Sequence, residues 1–501
     1  MSRRNLPRIA LWLALVAASG CTVAHDWTSP GAGAVPSMPR PQAVEPSLWH
    51  GVLWRGPQEG APAAPQARDC RRAPQLIELA GPVPAQRMRR DVMPGGARGD
   101  FIPAAPPREA VGAAAKKGER ADVKAESTEA RTAAAPTALA SPVPQAQAAR
   151  SAHEPVTAGV VDDNADFGEY LAYRRRAGPL NVRDRDISER YRLTVHDAAG
   201  RPVPDALVSV HAGSRELPLW ARTDSAGQVW LFPRASGVSD AVLEVRVSKP
   251  GVDGELRGTA LLRRGQRDQL QVRLDSTLPG ERARLDLVFL VDATGSMGDE
   301  IDKLKRSMRT VADQVAALPS RPDICFGLVA YRDRGDEFFV RAWDFSDDLG
   351  AFQQALAGVR AGGGGDMPEA LNEALHTAVH RLSWRGDGAT RLVMLVADAP
   401  PHLDYGAPWY DDDMQGALAR GIKLFTVGAS GLDKGGEYIY RQIAQFTGGR
   451  FIFLTYAKAT DPASGPGRET VHDVGNYSVE TLDKLVVKLV REELAKRPSN
   501  S

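Results

Sequence analysis

The sequence predicts an α/β protein: a doubly wound parallel sheet in the carboxyl-terminal half, a small β-sandwich before it, and an unfolded leader in front of both. Three observations predict this. Nineteen of the 36 prolines fall between Pro30 and Pro155, so the first third differs in kind from the rest. Apolar residues then alternate with period 2, and past residue 281 short apolar runs alternate with stretches of period 3.6. With 63 Lys and Arg against 62 Asp and Glu, the charge balance gives no basic excess for nucleic acid or an anionic membrane face. Three cysteines cannot build a disulfide framework, and the apolar run Ile9 to Ala18 is too short to span a bilayer.

Residues 1–20 read as an export signal, with Arg3, Arg4 and Arg8 as a basic start and Ile9 to Ala17 as the apolar stretch. Ala18-Ser19-Gly20-Cys21 resembles a bacterial lipobox, which implies lipidation at Cys21 and an address in the cell envelope, at the outer membrane, the periplasmic face or the cell surface. Residues 21–157 are Ala, Pro, Gln and charge without sustained periodicity, and are expected to form a disordered tether. Within it, Trp49 and Trp54 make an apolar island, and Cys70 is not expected to pair with Cys325, which falls in a buried strand. A short ordered segment covers 158–185. Asp162, Asn164 and Asp166 begin like a calcium loop, but Phe167 stands where Gly is needed and Tyr173 where Glu is needed, so a helix capped by Asp166 is expected instead.

From 186 to 278 the triplets Tyr191, Leu193, Val195; Ala206, Val208, Val210; Leu243, Val245, Val247; and Leu270, Val272, Leu274 define half-buried strands. About seven antiparallel strands follow. The string from Val195 to Ala206, with Thr223 to Gly227, resembles carboxypeptidase-regulatory-like and immunoglobulin-like surface modules, which implies a spacer.

Over 281–496, Leu285 to Val291, Ile324 to Tyr331, Leu392 to Ala397, Ile422 to Val427 and Phe451 to Leu454 suit buried parallel strands. Phe338 to Phe345 suits an edge hairpin. Ile301, Leu304, Met308, Val311, Val315 and Leu318 recur at helical spacing, and Leu371 to Leu382, Tyr438 to Phe446 and Leu482 to Leu494 do the same. Such sheets place their sites at the carboxyl ends of strands where the winding reverses.

At the end of the first strand stands Asp292-Ala293-Thr294-Gly295-Ser296-Met297. One carboxylate and two hydroxyls two residues apart can present three oxygens to one hard cation. The motif resembles the metal-ion-dependent adhesion site (MIDAS) of von Willebrand factor type A (VWA) domains, Rossmann-like modules. Ala361 to Glu369 and Ala397 to Pro401 resemble the Gly-rich and second-aspartate loops of the subgroup that includes hemicentin-like and bacterial secreted A domains, and Tyr331-Arg332-Asp333 belongs to the same pattern. The resemblance implies metal ligation through Thr294 and Ser296, with Asp292 and Asp398 holding metal waters. Asp366 stands where the adhesion type has Thr, adding a third carboxylate. A divalent cation is implied, magnesium first, with manganese or calcium as alternatives.

Arg98-Gly99-Asp100, Arg334-Gly335-Asp336 and Arg385-Gly386-Asp387 spell an integrin-ligand tripeptide, read here as a product of composition. Asp411-Asp412-Asp413 is read as a helix cap and loop rim rather than a second metal site. His402 and Asp404 lie close to Asp398, but no Gly-x-Ser-x-Gly, His-Glu-x-x-His or Cys-His arrangement accompanies them, so no catalytic residue is expected. The function expected is an envelope-anchored, metal-dependent protein-binding module whose partners are a protein ligand and, through its lipid, a membrane. The alternative is an assembly or chaperone-like helper acting with a partner ATPase or secretion complex.

Overall fold

A computed structural model of the chain describes residues 63–81, 154–279, 282–365, 367–386 and 388–497, all within the compact unit 48–501. The export signal, Cys21, the Trp49/Trp54 island, Arg98-Gly99-Asp100 and Asp366 lie outside the described residues. No helix among the described residues is long and apolar enough to cross a membrane.

In chain order the elements begin with β1 (Leu76–Leu79), β2 (Thr157–Val161) and α1 (Phe167–Ala177). Seven strands follow: β3 (Tyr191–His196), β4 (Leu207–Ala212), β5 (Arg215–Arg222), β6 (Gln228–Leu231), β7 (Val242–Gly251), β8 (Gly254–Arg263) and β9 (Gln269–Arg273). Then come β10 (Arg284–Asp292), α2 (Ile301–Ala316), β11 (Asp323–Tyr331), β12 (Val340–Ser346), α3 (Leu349–Gly358), α4 (Leu371–His380) and β13 (Thr390–Ala397). The chain continues through α5 (Tyr410–Arg420), β14 (Ile422–Gly428), α6 (Lys434–Thr447), β15 (Phe451–Lys458), β16 (Asp461–Pro466), β17 (Glu480–Thr481) and α7 (Leu482–Ala495).

A ten-stranded sheet runs β1-β12-β11-β10-β13-β14-β15-β2-β17, with β16 paired to β15 off this path. The five strands β11, β10, β13, β14 and β15 are parallel. Their apolar runs are buried on both faces, as helices on either side require. The winding leaves β10 towards β11 and β12, then crosses to β13 on the other side of β10. That reversal puts the ends of β10 and β13 at a switch point. The edge hairpin expected at Phe338 to Phe345 is instead one strand, β12, pairing antiparallel between β11 and β1.

The strand β1 corrects the reading of 21–157 as tether throughout. Leu76 to Leu79 pair with Val340 to Trp343, and Cys70 forms a disulfide with Cys325 at a Cα separation of 6.0 Å, against the expectation for Cys70. Free backbone donors and acceptors on β12 supply the pairing that Leu76-Ile77-Glu78-Leu79 could not find locally. On the opposite edge β2 pairs with β15. Asp166 caps α1 as expected, accepting from the Glu169 amide. The buried faces of that helix, Tyr170 and Tyr173, turn to α6 of the large sheet: Arg441 stacks over Tyr173 at 3.7 Å and bridges Asp163 at 2.6 Å.

The seven strands β3 to β9 form two sheets, β6-β3-β9 and β5-β4-β7-β8. Val195, Val208, Val210, Leu243 and Val245 are fully buried between turns, as alternation requires. One pairing departs from the antiparallel expectation, because β3 and β9 are parallel. This unit sits against the amino ends of β13 and β14. Asp205 accepts from Arg391 at 2.9 Å and from the Gly388 amide at 3.0 Å, Ser225 bonds Thr390 at 2.8 Å, and Lys423 bridges Asp224 at 3.0 Å.

Candidate metal-binding site

At the carboxyl end of β10, Asp292 is fully buried, and its Oδ1 accepts from the Thr294 amide at 2.9 Å and the Thr294 hydroxyl at 2.7 Å. Thr294 Oγ1 in turn lies 3.0 Å from Ser296 Oγ, so the two hydroxyls share one turn, the first buried and the second exposed. The turn is fixed from three sides. Ala293 donates to the Tyr331 carbonyl at the end of β11. Arg332 Nε donates to the Ala293 carbonyl at 3.1 Å, and the Gly-rich loop closes over the top with Gly295 donating to the Gly363 carbonyl at 2.9 Å.

Glycine is needed at that closure. Gly364 has φ +59°, and a Cβ there would stand 2.6 Å from Glu369 Oε1 and 2.8 Å from the Thr294 Cβ. Its amide donates to Asp336 Oδ2 at 2.9 Å, which hangs the loop on the β11–β12 connection. The Gly-rich loop also joins the second-aspartate loop: Glu369 donates its amide to the Pro400 carbonyl at 3.0 Å, and His402 donates to the Glu369 carbonyl at 3.1 Å. Asp398, directly after β13, is buried beside this junction.

The structure therefore brings Asp292, Thr294, Ser296 and Asp398 to one rim, while Asp366 lies outside the described residues. It adds Glu369, which sequence reasoning did not single out as a ligand. Its only signal was its position within the Gly-rich string, beside Pro368 and ahead of a helix.

These acids are costly where they are. Burial, opposed by the Thr294 hydrogen bonds, lifts Asp292 to about 6. Burial and then the Asp292 charge lift Asp398 to about 7, and burial with four neighbouring carboxylates, Asp292 foremost, lifts Glu369 to about 9. Asp292 Oδ2, Asp398 Oδ1 and Glu369 Oε2 are buried without a hydrogen-bond partner among the described residues. Unpartnered carboxylate oxygens beside two hydroxyls fit a hard divalent cation, which takes oxygen ligands and relieves like-charge repulsion.

Around the rim, His402 is held between Asp404 (2.7 Å) and Asp333 (3.5 Å) and stacks on Tyr405 at 3.6 Å. The arginines of the tripeptides at 334 and 385 are engaged by the fold, while Asp387 lies outside the described residues. Arg334 lies over the Tyr405 ring, and Arg385 is buried on Asp286 at 2.6 Å. The acidic run 411–413 makes no helix cap, for the cap position is Trp409 without a side-chain bond. Asp411 and Asp412 pair with Arg183 and Arg185, and Asp413 faces two histidines.

Parts of the chain are similar to known proteins. An alpha-protein kinase, vwkA, from Dictyostelium discoideum is 33% identical over 147 residues, 28% of this chain and 22% of that protein. The von Willebrand factor A domain-containing protein 7 of Homo sapiens is 32% identical over 138 residues, 28% of this chain and 14% of the relative. A putative ariadne-like RING finger protein, R811, of Acanthamoeba polyphaga mimivirus is 30% identical over 121 residues, 24% of this chain and 12% of that protein. The chain thus spans less than a quarter of the length of these curated relatives. Among solved structures, the pilus adhesin SpaC from Lactobacillus rhamnosus GG aligns at a TM-score of 0.27 and 15% identity, covering 42% of this chain and 31% of that one. The family model for the von Willebrand factor type A domain matches residues 286–460, the stretch from β10 to β15 that builds the rim, and this part of the chain is a von Willebrand factor type A domain.

Proposed function

We propose that this chain is an envelope-anchored binding protein whose VWA domain captures a protein ligand through a divalent cation held at the Asp292 rim. The observation behind this reading is the set of buried, unpartnered oxygens on Asp292, Asp398 and Glu369 around the Thr294–Ser296 hydroxyl pair. Thr294 and Ser296 would hold the ion directly, Asp292 and Asp398 through water, and Asp366 would add a further carboxylate. The bound cation supplies an electrophilic point for an acidic group of the ligand. Additional carboxylates offset part of that charge, which favours calcium or a weaker hold on the acidic group over the adhesion type.

Binding is a better reading than catalysis. The two hydroxyls of the site bond to a carboxylate and to each other, and no histidine hydrogen-bonds to either among the described residues. Cys21 carries the lipid anchor in this reading, and the seven-stranded unit is a sandwich spacer.

Three measurements test it. Magnesium, manganese or calcium should raise the melting temperature of the wild-type chain, by the equivalent of about 2.7 kcal/mol at a hundredfold excess over Kd, and Asp292→Ala should lose that response. Envelope proteins captured by the chain in magnesium should be released by chelator. A melting temperature indifferent to all three ions would refute the metal-dependent reading. If Cys21→Ser still partitions with membranes as wild type does, lipid is not the anchor.

A further inference from the structure

The helices α4 and α5 follow the Gly-rich and the second-aspartate loops respectively, and where they pack together they hold a second cluster. His376 and His380 stand four residues apart on one face of α4, their rings 4.5 Å apart between centroids. Asp413, in the first turn of α5, is buried, and its Oδ1 lies 2.9 Å from His376 Nδ1 and 2.9 Å from His380 Nε2. The three ligand atoms lie within 4.8 Å of one another. We propose that His376, His380 and Asp413 form a transition-metal site, zinc first among its ions, separate from the hard-cation rim.

Five observations support this assignment. Asp413 Oδ2 is buried without a hydrogen-bond partner, an orphaned charge-bearing atom in a side chain only 4% exposed. Its neighbours Asp411 and Asp412 are engaged by Arg183 and Arg185, whereas Asp413 meets imidazoles only.

The distances also suit an ion. Two ligands about 2.0–2.1 Å from a tetrahedral zinc lie roughly 3.3 Å apart, so each nitrogen–oxygen gap need widen by only a few tenths of an ångström. Space for the rings is built in, because a Cβ on Gly416 would come within 2.8 Å of His380 Cε1. Finally, each histidine side chain is about a quarter exposed, 28% and 26%, which leaves a path for the ion and room for a water as fourth ligand.

Imidazole nitrogens with one carboxylate favour zinc, nickel, copper or cobalt over magnesium, whereas the Asp292 rim offers only oxygens. This chemical difference separates the two sites experimentally.

The test is a cobalt titration of the full chain in excess magnesium, followed by its visible ligand-field absorption and by displacement with zinc. The expected result is one equivalent of cobalt in a four-coordinate, nitrogen-containing site whose intense visible band zinc abolishes. His376→Gln and Asp413→Asn, which keep the size of the side chains, should weaken apparent cobalt affinity at least about tenfold, since loss even of an outer-shell partner costs that much. Asp292→Ala should leave the band unchanged. The proposal is overturned if wild type gives no such band, if His376→Gln and Asp413→Asn keep it, or if Asp292→Ala removes it. Because wild type alone decides the first of these outcomes, a variant that fails to fold does not shield the proposal.

Discussion

Replacing Asp292 with Asn isolates the charge at the centre of the rim while keeping an oxygen for the two Thr294 bonds. In the metal-free protein, burial raises the Asp292 carboxyl from 3.8 to about 6. The folded state then holds its proton to higher pH than the unfolded state does, so stability falls as pH rises from about 4 to about 6 and stays lower beyond. At about 1.4 kcal/mol per unit, the loss is about 3 kcal/mol for this group. Asn cannot titrate. In chelator the wild type and Asp292→Asn should therefore melt together near pH 4, and above pH 6 the variant should be the more stable by up to about 3 kcal/mol, roughly 6–12 °C for a domain of this size. Magnesium at a hundredfold excess over Kd returns about 2.7 kcal/mol to the wild type and nothing to the variant, closing the gap. Calorimetry of the full chain over pH 4 to 8, with chelator and with magnesium, measures all four limbs. A wild-type-minus-variant difference that ignores both pH and metal would show that Asp292 is a structural acceptor and no ligand.

Three more outcomes follow from other contacts. Gly364→Ala forces a Cβ against Thr294 and Glu369 at φ +59°, so it should weaken the magnesium-dependent rise in melting temperature at least tenfold in ion concentration, while urea unfolding in chelator changes by about 1–3 kcal/mol. Asp205→Asn leaves Arg391, Arg222 and Lys249 around a neutral group and should cost about 3–5 kcal/mol in urea unfolding. These three cations outweigh burial and hold Asp205 below its ordinary value, so its contribution is present above pH 4 and fades as pH falls, opposite in sign to Asp292. Cys70→Ser should cost about 2–5 kcal/mol, and non-reducing peptide mapping of the wild type should recover one cross-linked peptide containing Cys70 and Cys325.

What was legible in the sequence was what local periodicity encodes. The runs that became β10, β11, β13, β14 and β15 are apolar because both faces are covered, and Ile301, Leu304, Met308, Val311 and Val315 are buried along one face of α2. Asp292, Thr294, Ser296 and Asp398 were named through the resemblance of their loops to the VWA pattern, and the strand ends of β10 and β13 place them at one rim. Nonlocal pairing was not legible. Leu76 to Leu79 is a four-residue edge strand with alternate residues exposed, amid Pro and Arg, and its partner lies more than 260 positions away. The Cys70–Cys325 pairing ran against the sequence reading, because connectivity depends on the fold. Glu369 was not singled out, and Asp413 was read as part of a helix cap, for a related reason: what each acid faces is brought by a different loop or helix.

The direction of the strands makes the two best-supported charge clusters independent. Thr390 opens β13 on the side where Asp205 and Ser225 dock, and Asp398 follows its far end. The eight residues of β13 span about 26 Å at 3.3 Å each, well beyond the separation at which independent sites add. The Asp292 rim therefore lies at the end of the sheet away from the seven-stranded unit, and the two clusters share no residue. The double variant Asp292→Asn with Asp205→Asn should change stability, at each pH, by the signed sum of the Asp292→Asn gain and the Asp205→Asn loss within about 0.5 kcal/mol in urea unfolding with chelator present. Additivity should survive even though the two singles move in opposite directions with pH. A coupling term well above 1 kcal/mol would mean that β13 transmits strain between its ends, and that docking of the seven-stranded unit tunes the rim.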